Sequence, residues 1–227
     1  MQPELLEAVE VNPSRQPRAC VIWLHGLGAD GHDFEPLIPQ LDIVAALDVR
    51  VVLPHAPHRP VTINGGMRMR AWYDILAPDF RAGEDRQGIR ETGQLLCNLV
   101  AREEAGGIPA DRILLAGFSQ GGAIALHAGL RYPRRLAGIL ALSTWLPLAD
   151  TLANEGTAIN QSVPIMMAHG MQDPVVPLGL AERSRDTLRQ AGYAVDWHTY
   201  PMAHAVCPQE VRAIRTWIVA VLGAVQS

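Results

Sequence analysis

Gly117-Phe118-Ser119-Gln120-Gly121 is the stretch with the clearest chemistry in this 227-residue chain. A serine hydroxyl becomes a useful nucleophile only when a neighbouring base takes its proton. The Gly-x-Ser-x-Gly pattern between a strand and a helix lifts that hydroxyl out of a sheet on a strained turn. The flanks fit: Ile113 to Ala116 reads as a buried strand, and residues 122–128 read as a helix. Side chains at the glycine positions would block the turn. The pentapeptide alone arises by chance in about one chain in ten of this length. Its weight therefore depends on whether the other parts of a hydrolytic site follow in order.

The serine needs a base and the base needs an orienting acid, in the chain order Ser, Asp or Glu, His. After Ser119 the acids are Asp150, Glu155, Asp173, Glu182, Asp186, Asp196 and Glu210. Only Asp173 directly follows a buried-type strand, in His169-Gly-Met-Gln-Asp-Pro-Val-Val-Pro177, where the prolines stiffen the loop. Among the histidines, His198 sits within an alternating strand pattern, as a wall position. His127 lies inside the helix after the serine, packed or at the surface. His169 precedes Gly170 at a strand end and reads as a satisfied core histidine. His204 falls in a loop between the last strand and the last helix, where such a site presents its base.

Acyl transfer also needs donors aimed at the developing oxyanion. The backbone N–H of Gln120 is one, at a helix N-terminus whose dipole favours negative charge. The loop His25-Gly26-Leu27-Gly28 after an early strand supplies the other, with the Leu27 N–H as the candidate and His25 as a structural residue. These parts together read as an α/β-hydrolase with a Ser119–His204–Asp173 triad.

The elements that must position these residues alternate. Strands are expected at Ala19–Leu24, Val49–Leu53, Ile113–Ala116, Leu136–Leu142, Pro164–Ala168 and Ala194–Tyr200. Helices are expected over Asp33–Leu47, Glu84–Ala105, from the serine to Tyr132, and over Leu178–Ala191. The last helix carries Val211, Ile214, Ile218, Val221, Leu222 and Val225 on one face. Residues 54–83 read as irregular. The alternation predicts a mostly parallel central sheet with helices on both faces and no large lid or cap, with ligands beyond the carboxyl ends of the strands. One domain over residues 1–227 is the expectation, since folding at this size buries roughly 70–75% of the unfolded surface.

The formal net charge of −4 and the absence of any basic run argue against nucleic acid as a partner. The acidic N-terminus lacks the basic and apolar regions of a signal peptide, and no apolar run reaches the ~18 residues that span a bilayer. Stable membrane insertion is therefore not expected. Cys20, Cys97 and Cys207 have no metal-ligand spacing, and Cys20 and Cys97 sit in apolar contexts. Reduced thiols and no export signal point to the cytoplasm. The eight histidines are scattered without paired ligand spacing, so a metal-dependent hydrolase is rejected and no metal site is expected.

From Ala19 to the C-terminal helix the chain resembles the small bacterial carboxylesterases of the family of acyl-protein thioesterases and lysophospholipases. The stretches that carry the resemblance are 24–34, 61–67, 71–75, 117–122, 169–177 and the segment around His204. The resemblance implies a compact, lidless hydrolase without a cofactor, acting on small-molecule acyl esters or thioesters. It also allows for a homodimer, and it implies an apolar acyl site lined by Leu27, Trp145 and Val175. Those positions follow the oxyanion loop, a strand end and the acid loop. Trp72, Tyr73 and Asp74 read as a loop anchor, and Gly65, Gly66, Met67 and Met69 edge the cleft. A non-catalytic binding protein on the same scaffold is the rival of a different class; it would lack a triad member, and none is missing here. A thioesterase of narrow substrate choice is a second rival, and a peptidase or carbon–carbon hydrolase would need cap insertions that this length leaves little room for.

Overall fold

The fold is described from a computed structural model, for residues 5–13, 15–77 and 83–223. The strands are β1 (Ala8–Val11), β2 (Ala19–Leu24), β3 (Val49–Pro54), β4 (His58–Val61), β5 (Met67–Arg70), β6 (Ile113–Phe118), β7 (Gly138–Leu142), β8 (Ile165–Gly170) and β9 (Val195–Tyr200). The helices are α1 (Ile38–Leu41), α2 (Arg86–Ala105), α3 (Gln120–Arg131), α4 (Leu152–Glu155), α5 (Leu178–Gln190) and α6 (Pro208–Gly223). Seven strands form one sheet in the order β1-β3-β2-β6-β7-β8-β9, and β4 and β5 form a separate hairpin. All pairings from β3 to β9 in that order are parallel; β1 joins antiparallel at one edge.

The sheet is central because its strands are apolar on both sides. Along β6, Ile113 and Leu115 point into one cluster with Ile89, Leu96, Leu99 and Ile124 from α2 and α3. Leu114 and Ala116 point into the other, with Ile38, Leu41, Ile214, Ile218 and Leu222 from α1 and α6. The same two-residue alternation runs through β2, β7 and β8. Each such fully buried Leu, Ile or Val contributes about 1.5–3 kcal/mol over its exposed state.

The core strands and long helices match the sequence expectation to within two residues at most ends. Three regions differ. The helix expected over Asp33–Leu47 is broken into 3-10 turns, the short α1 and further turns. Pro36 and Pro39 interrupt the backbone donors, and Asp42 is left-handed at φ 49°. The irregular stretch contains the β4–β5 hairpin, and β1 was not expected at all. Val225, placed on the face of the last helix, lies outside the described residues, as do residues 78–82 of the irregular stretch and residues 1–4 of the N-terminal reading.

Candidate active site

Ser119 occupies the sharp corner between β6 and α3, at φ 54° and ψ −121°. That conformation costs a non-glycine residue about 1–3 kcal/mol and needs surroundings that impose it. They do so through the neighbouring strand. The Ser119 N–H donates to Leu142 O at 2.8 Å, and the Thr144 hydroxyl donates to Ser119 O at 2.6 Å. The flanking glycines are required by close approach. A Cβ at Gly117 would lie 2.3 Å from Gly121 C, and one at Gly121 would lie 2.4 Å from Leu24 O. The first N–H bond back to Ser119 O comes from Ala123, so the preceding amides of α3, Gln120 first, have no partner inside the helix.

Asp173 lies in the loop after β8 and is buried. Its Oδ1 accepts the N–H groups of Val175 at 2.8 Å and Val176 at 2.9 Å, a local turn that holds the carboxylate still. Its Oδ2 lies 2.7 Å from His204 Nδ1. His204 comes from the loop after β9. The two loops are laced by Met171 N–H to Tyr200 O at 2.8 Å and Gln172 N–H to Met202 O at 3.0 Å. Gly170 allows this approach, because a Cβ there would meet Ala203 O at 2.3 Å. The His204 ring packs on Phe118, the residue before the serine, with centroids 4.7 Å apart. With Nδ1–H given to Asp173, the Nε2 lone pair remains to accept a proton.

The wall on the other side is a hydrogen-bonded framework. His25 uses both ring nitrogens, Nδ1 to Gly26 O at 2.7 Å and Nε2 from Ala56 N–H at 3.0 Å. Burial lowers its pKa to about 4, so it is a neutral strut. The Trp72 indole donates to His25 O at 2.8 Å. The Gln120 side chain accepts from Trp72 N–H at 2.8 Å and donates to Tyr73 O at 2.7 Å. Gly28 N–H donates to Arg70 O of β5 at 2.9 Å, tying the loop to the hairpin. Asp74 in turn caps the hairpin, receiving Thr62 N–H at 2.7 Å, so residues 72–74 anchor the loop as expected.

Between these walls lies a cleft of about 270 Å³, lined by Leu27, Ile63, Ile75, Ser119, Gln120, Trp145, Pro174, Val175 and Val176. The structure thus brings Leu27, Trp145 and Val175 together with the serine. Trp145 is buried and meets Tyr73 edge-on at 6.4 Å, whereas Val175 is 54% exposed at the mouth. A larger cleft of about 460 Å³ shares Ile75 and Trp145 but does not reach Ser119. His198 is apart from the site, half-exposed on β9 and 2.9 Å from Asp196. His127 is buried between α2 and α3, with its pKa lowered to about 3 by burial. His169 is buried and its Nε2 is 2.9 Å from Val176 O, as a core histidine should be, yet the same atom is 3.4 Å from Asp173 Oδ2.

Sequence reasoning missed Ile63, Ile75 and the Gln120 side chain. Ile63 stands among polar and glycine residues, and Ile75 opens a short apolar run after Trp72, Tyr73 and Asp74; apolar residues in so irregular a stretch were the available signal. Behind the base loop, Glu210 at the start of α6 is fully buried, and burial raises its pKa to about 7. Among the described residues no group of three or more His, Cys, Asp or Glu is placed to hold a metal ion, and no helix is long and apolar enough to cross a membrane.

Comparison with known proteins gives the family and the fold. Residues 6–222 match the family model described as Phospholipase/Carboxylesterase. Acyl-protein thioesterase 1 of Neurospora crassa is 44% identical over 209 residues, covering 88% of this chain and 85% of that protein. Acyl-protein thioesterase 1 of Cryptococcus neoformans is 37% identical over 237 residues, covering 97% and 99%. The crystal structure of Zea mays acyl-protein thioesterase 2 superposes with a TM-score of 0.85 at 30% identity, covering 96% and 99% of the two chains. The sequence relatives are eukaryotic, so the expected likeness to bacterial members in particular is not borne out. The chain is a carboxylic-ester or thioester hydrolase of the α/β-hydrolase fold and belongs to the phospholipase/carboxylesterase family.

Proposed function

We propose that the chain hydrolyses short- to medium-chain acyl esters and thioesters through an acyl-enzyme on Ser119. The observation that carries this reading is the 2.7 Å contact of Asp173 Oδ2 with His204 Nδ1, beside a serine held at a strained elbow. Ser119 Oγ attacks the acyl carbon as His204 Nε2 takes its proton. The backbone N–H groups of Leu27 and Gln120 stabilise the oxyanion, and the helix dipole of α3 adds to the second. The tetrahedral intermediate collapses, and the leaving alcohol or thiol takes the proton from His204. Water, activated by the same base, attacks the acyl-enzyme and releases the acid and free Ser119. Leu27, Trp145 and Val175 hold the acyl chain, with Ile63 and Ile75 completing the apolar wall. The thioester side of the proposal rests on relatives named acyl-protein thioesterase. The test is hydrolysis of p-nitrophenyl esters from acetate to palmitate and of an acyl thioester, with wild type beside Ser119→Ala. Activity confined to the wild type is the expected result, with the best chain length sizing the cleft. Equal activity in the variant would overturn the assignment of Ser119.

A further inference from the structure

His169 and His204 converge on a single carboxylate oxygen from different strands. Asp173 Oδ2 is 2.7 Å from His204 Nδ1 and 3.4 Å from His169 Nε2. The second acceptor within reach of His169 Nε2 is Val176 O, at 2.9 Å. Both atoms facing Nε2 are therefore acceptors. A lone pair on that nitrogen would be repelled by each, so the ring must carry its proton there. The residue is 1% exposed, and water does not compete for the N–H.

We propose that His169 is a positioning residue for the base: its Nε2–H, given to Val176 O and shared toward Asp173 Oδ2, fixes the acid loop and tempers the hold of that oxygen on His204. This rests on the Ser119–His204–Asp173 reading above. β8 sets the geometry, because His169 pairs with Thr199 and Gly170 with Tyr200, which delivers the acid and base loops side by side. The titratable groups facing His169 are Asp173 and His204 from those loops and Glu182 from α5. Burial keeps the His169 pKa below the ordinary histidine value, so the ring acts as a neutral donor.

The consequence has a sign. Asp173 Oδ2 accepts from His204 Nδ1–H, and the polar Nε2–H of His169, bonded to Val176 O, faces the same oxygen at 3.4 Å and draws on its charge. Without His169 the whole of that oxygen is free to bind the imidazolium of His204, which then gives up its proton less readily. The acid limb of kcat/KM moves to higher pH, while loss of the loop anchor lowers the plateau.

The experiment compares His169→Leu and His169→Gln with wild type, recording kcat/KM against pH on a short p-nitrophenyl ester. His169→Leu should lose about ten- to a hundred-fold at the plateau and shift its acid limb up by about one pH unit. His169→Gln, whose amide N–H starts from nearly the same place as Nε2–H, should recover most of both. An unmoved acid limb in His169→Leu, or a glutamine variant no better than leucine, would overturn the proposal. Should the leucine variant fail to fold, nitrogen NMR of histidine-labelled wild type decides: the proton must reside on Nε2 of His169, and finding it on Nδ1 sinks the idea. Labelling of wild-type Ser119 by a fluorophosphonate separates the levels. A labelled, active wild type with an unmoved limb in the variant refutes the His169 role alone. A wild type that neither labels nor hydrolyses refutes the triad and the His169 role with it.

Discussion

His25 and His204 belong to two loops of one site, and they use their rings differently. His25 is 1% exposed and has both nitrogens bound to fixed backbone groups. His204 has a side chain 16% exposed, one nitrogen on Asp173, and the other without a protein partner among the described residues. An imidazole with both nitrogens satisfied is a strut that has nowhere to put a proton. One with a free nitrogen is a base. The surroundings follow the same division. The wall around His25 is a web joining Trp72, Tyr73, Gln120 and the hairpin, whereas His204, the proposed base, is held by one carboxylate, one phenylalanine ring and short loop contacts. In the proposed mechanism the oxyanion side must not move while charge develops, since donors that reorganise lose their catalytic advantage. The side of the proposed base must exchange protons with substrate and water in that mechanism.

His204→Ala tests the contrast most severely. Turnover of a short p-nitrophenyl ester should fall by about 10⁴-fold or more, while Tm falls by only about 2–5 °C, the cost of leaving Asp173 Oδ2 without its partner at a position water reaches. A large Tm loss would mean that the base is also a strut. His25→Ala should reverse the pattern. It strands the Ala56 N–H and leaves a cavity at a cost of about 2–4 kcal/mol, a fall in Tm of about 5–15 °C. The pH dependence sharpens this. The folded pKa of His25, about 4, is below the unfolded value of about 6.5. The unfolded chain binds the extra proton in that window, so His25 lowers stability as pH falls from 6.5 toward 4. Tm measured across this range should fall less steeply in His25→Ala than in wild type, and parallel curves would remove His25 from the account. His198→Ala should do least, with activity within about two-fold and stability within about 0.5 kcal/mol, because its contact with Asp196 is at the surface. A strong loss there would reopen the choice of base.

The sequence was most legible where chemistry is local. The elbow announces itself because Gly117 and Gly121 are needed two residues to either side of the serine, and Asp173 because its turn is built from its own next neighbours. The buried parallel strands were readable from apolar runs that serve both faces. The hairpin was not, since β4 and β5 pack over the site rather than in the core, carry Pro60, and bury little beyond Val61. The helix expected over 33–47 failed because apolar spacing survived where prolines and a left-handed Asp42 did not permit the backbone. The contact of His169 with Asp173 depends on how a loop folds back over the end of its own strand, and the reach of Gln120 to Trp72 joins segments 48 residues apart. Neither leaves a periodicity to read.

Across the sheet, β2, β6, β7, β8 and β9 lie side by side in that order, and each ends in one component of the site: Leu27, Ser119, Trp145, Asp173 and His204. The fold thus works as a rack with one tool per slot. In the proposed mechanism the slot that ends in Trp145 shapes the acyl wall and holds none of the proton-transfer groups, although Thr144 beside it grips the elbow. On the proposed mechanism, substrate preference drifts through a single side chain at 145, in evolution or by design, while the machinery proposed for bond cleavage in the adjacent slots is inherited unchanged.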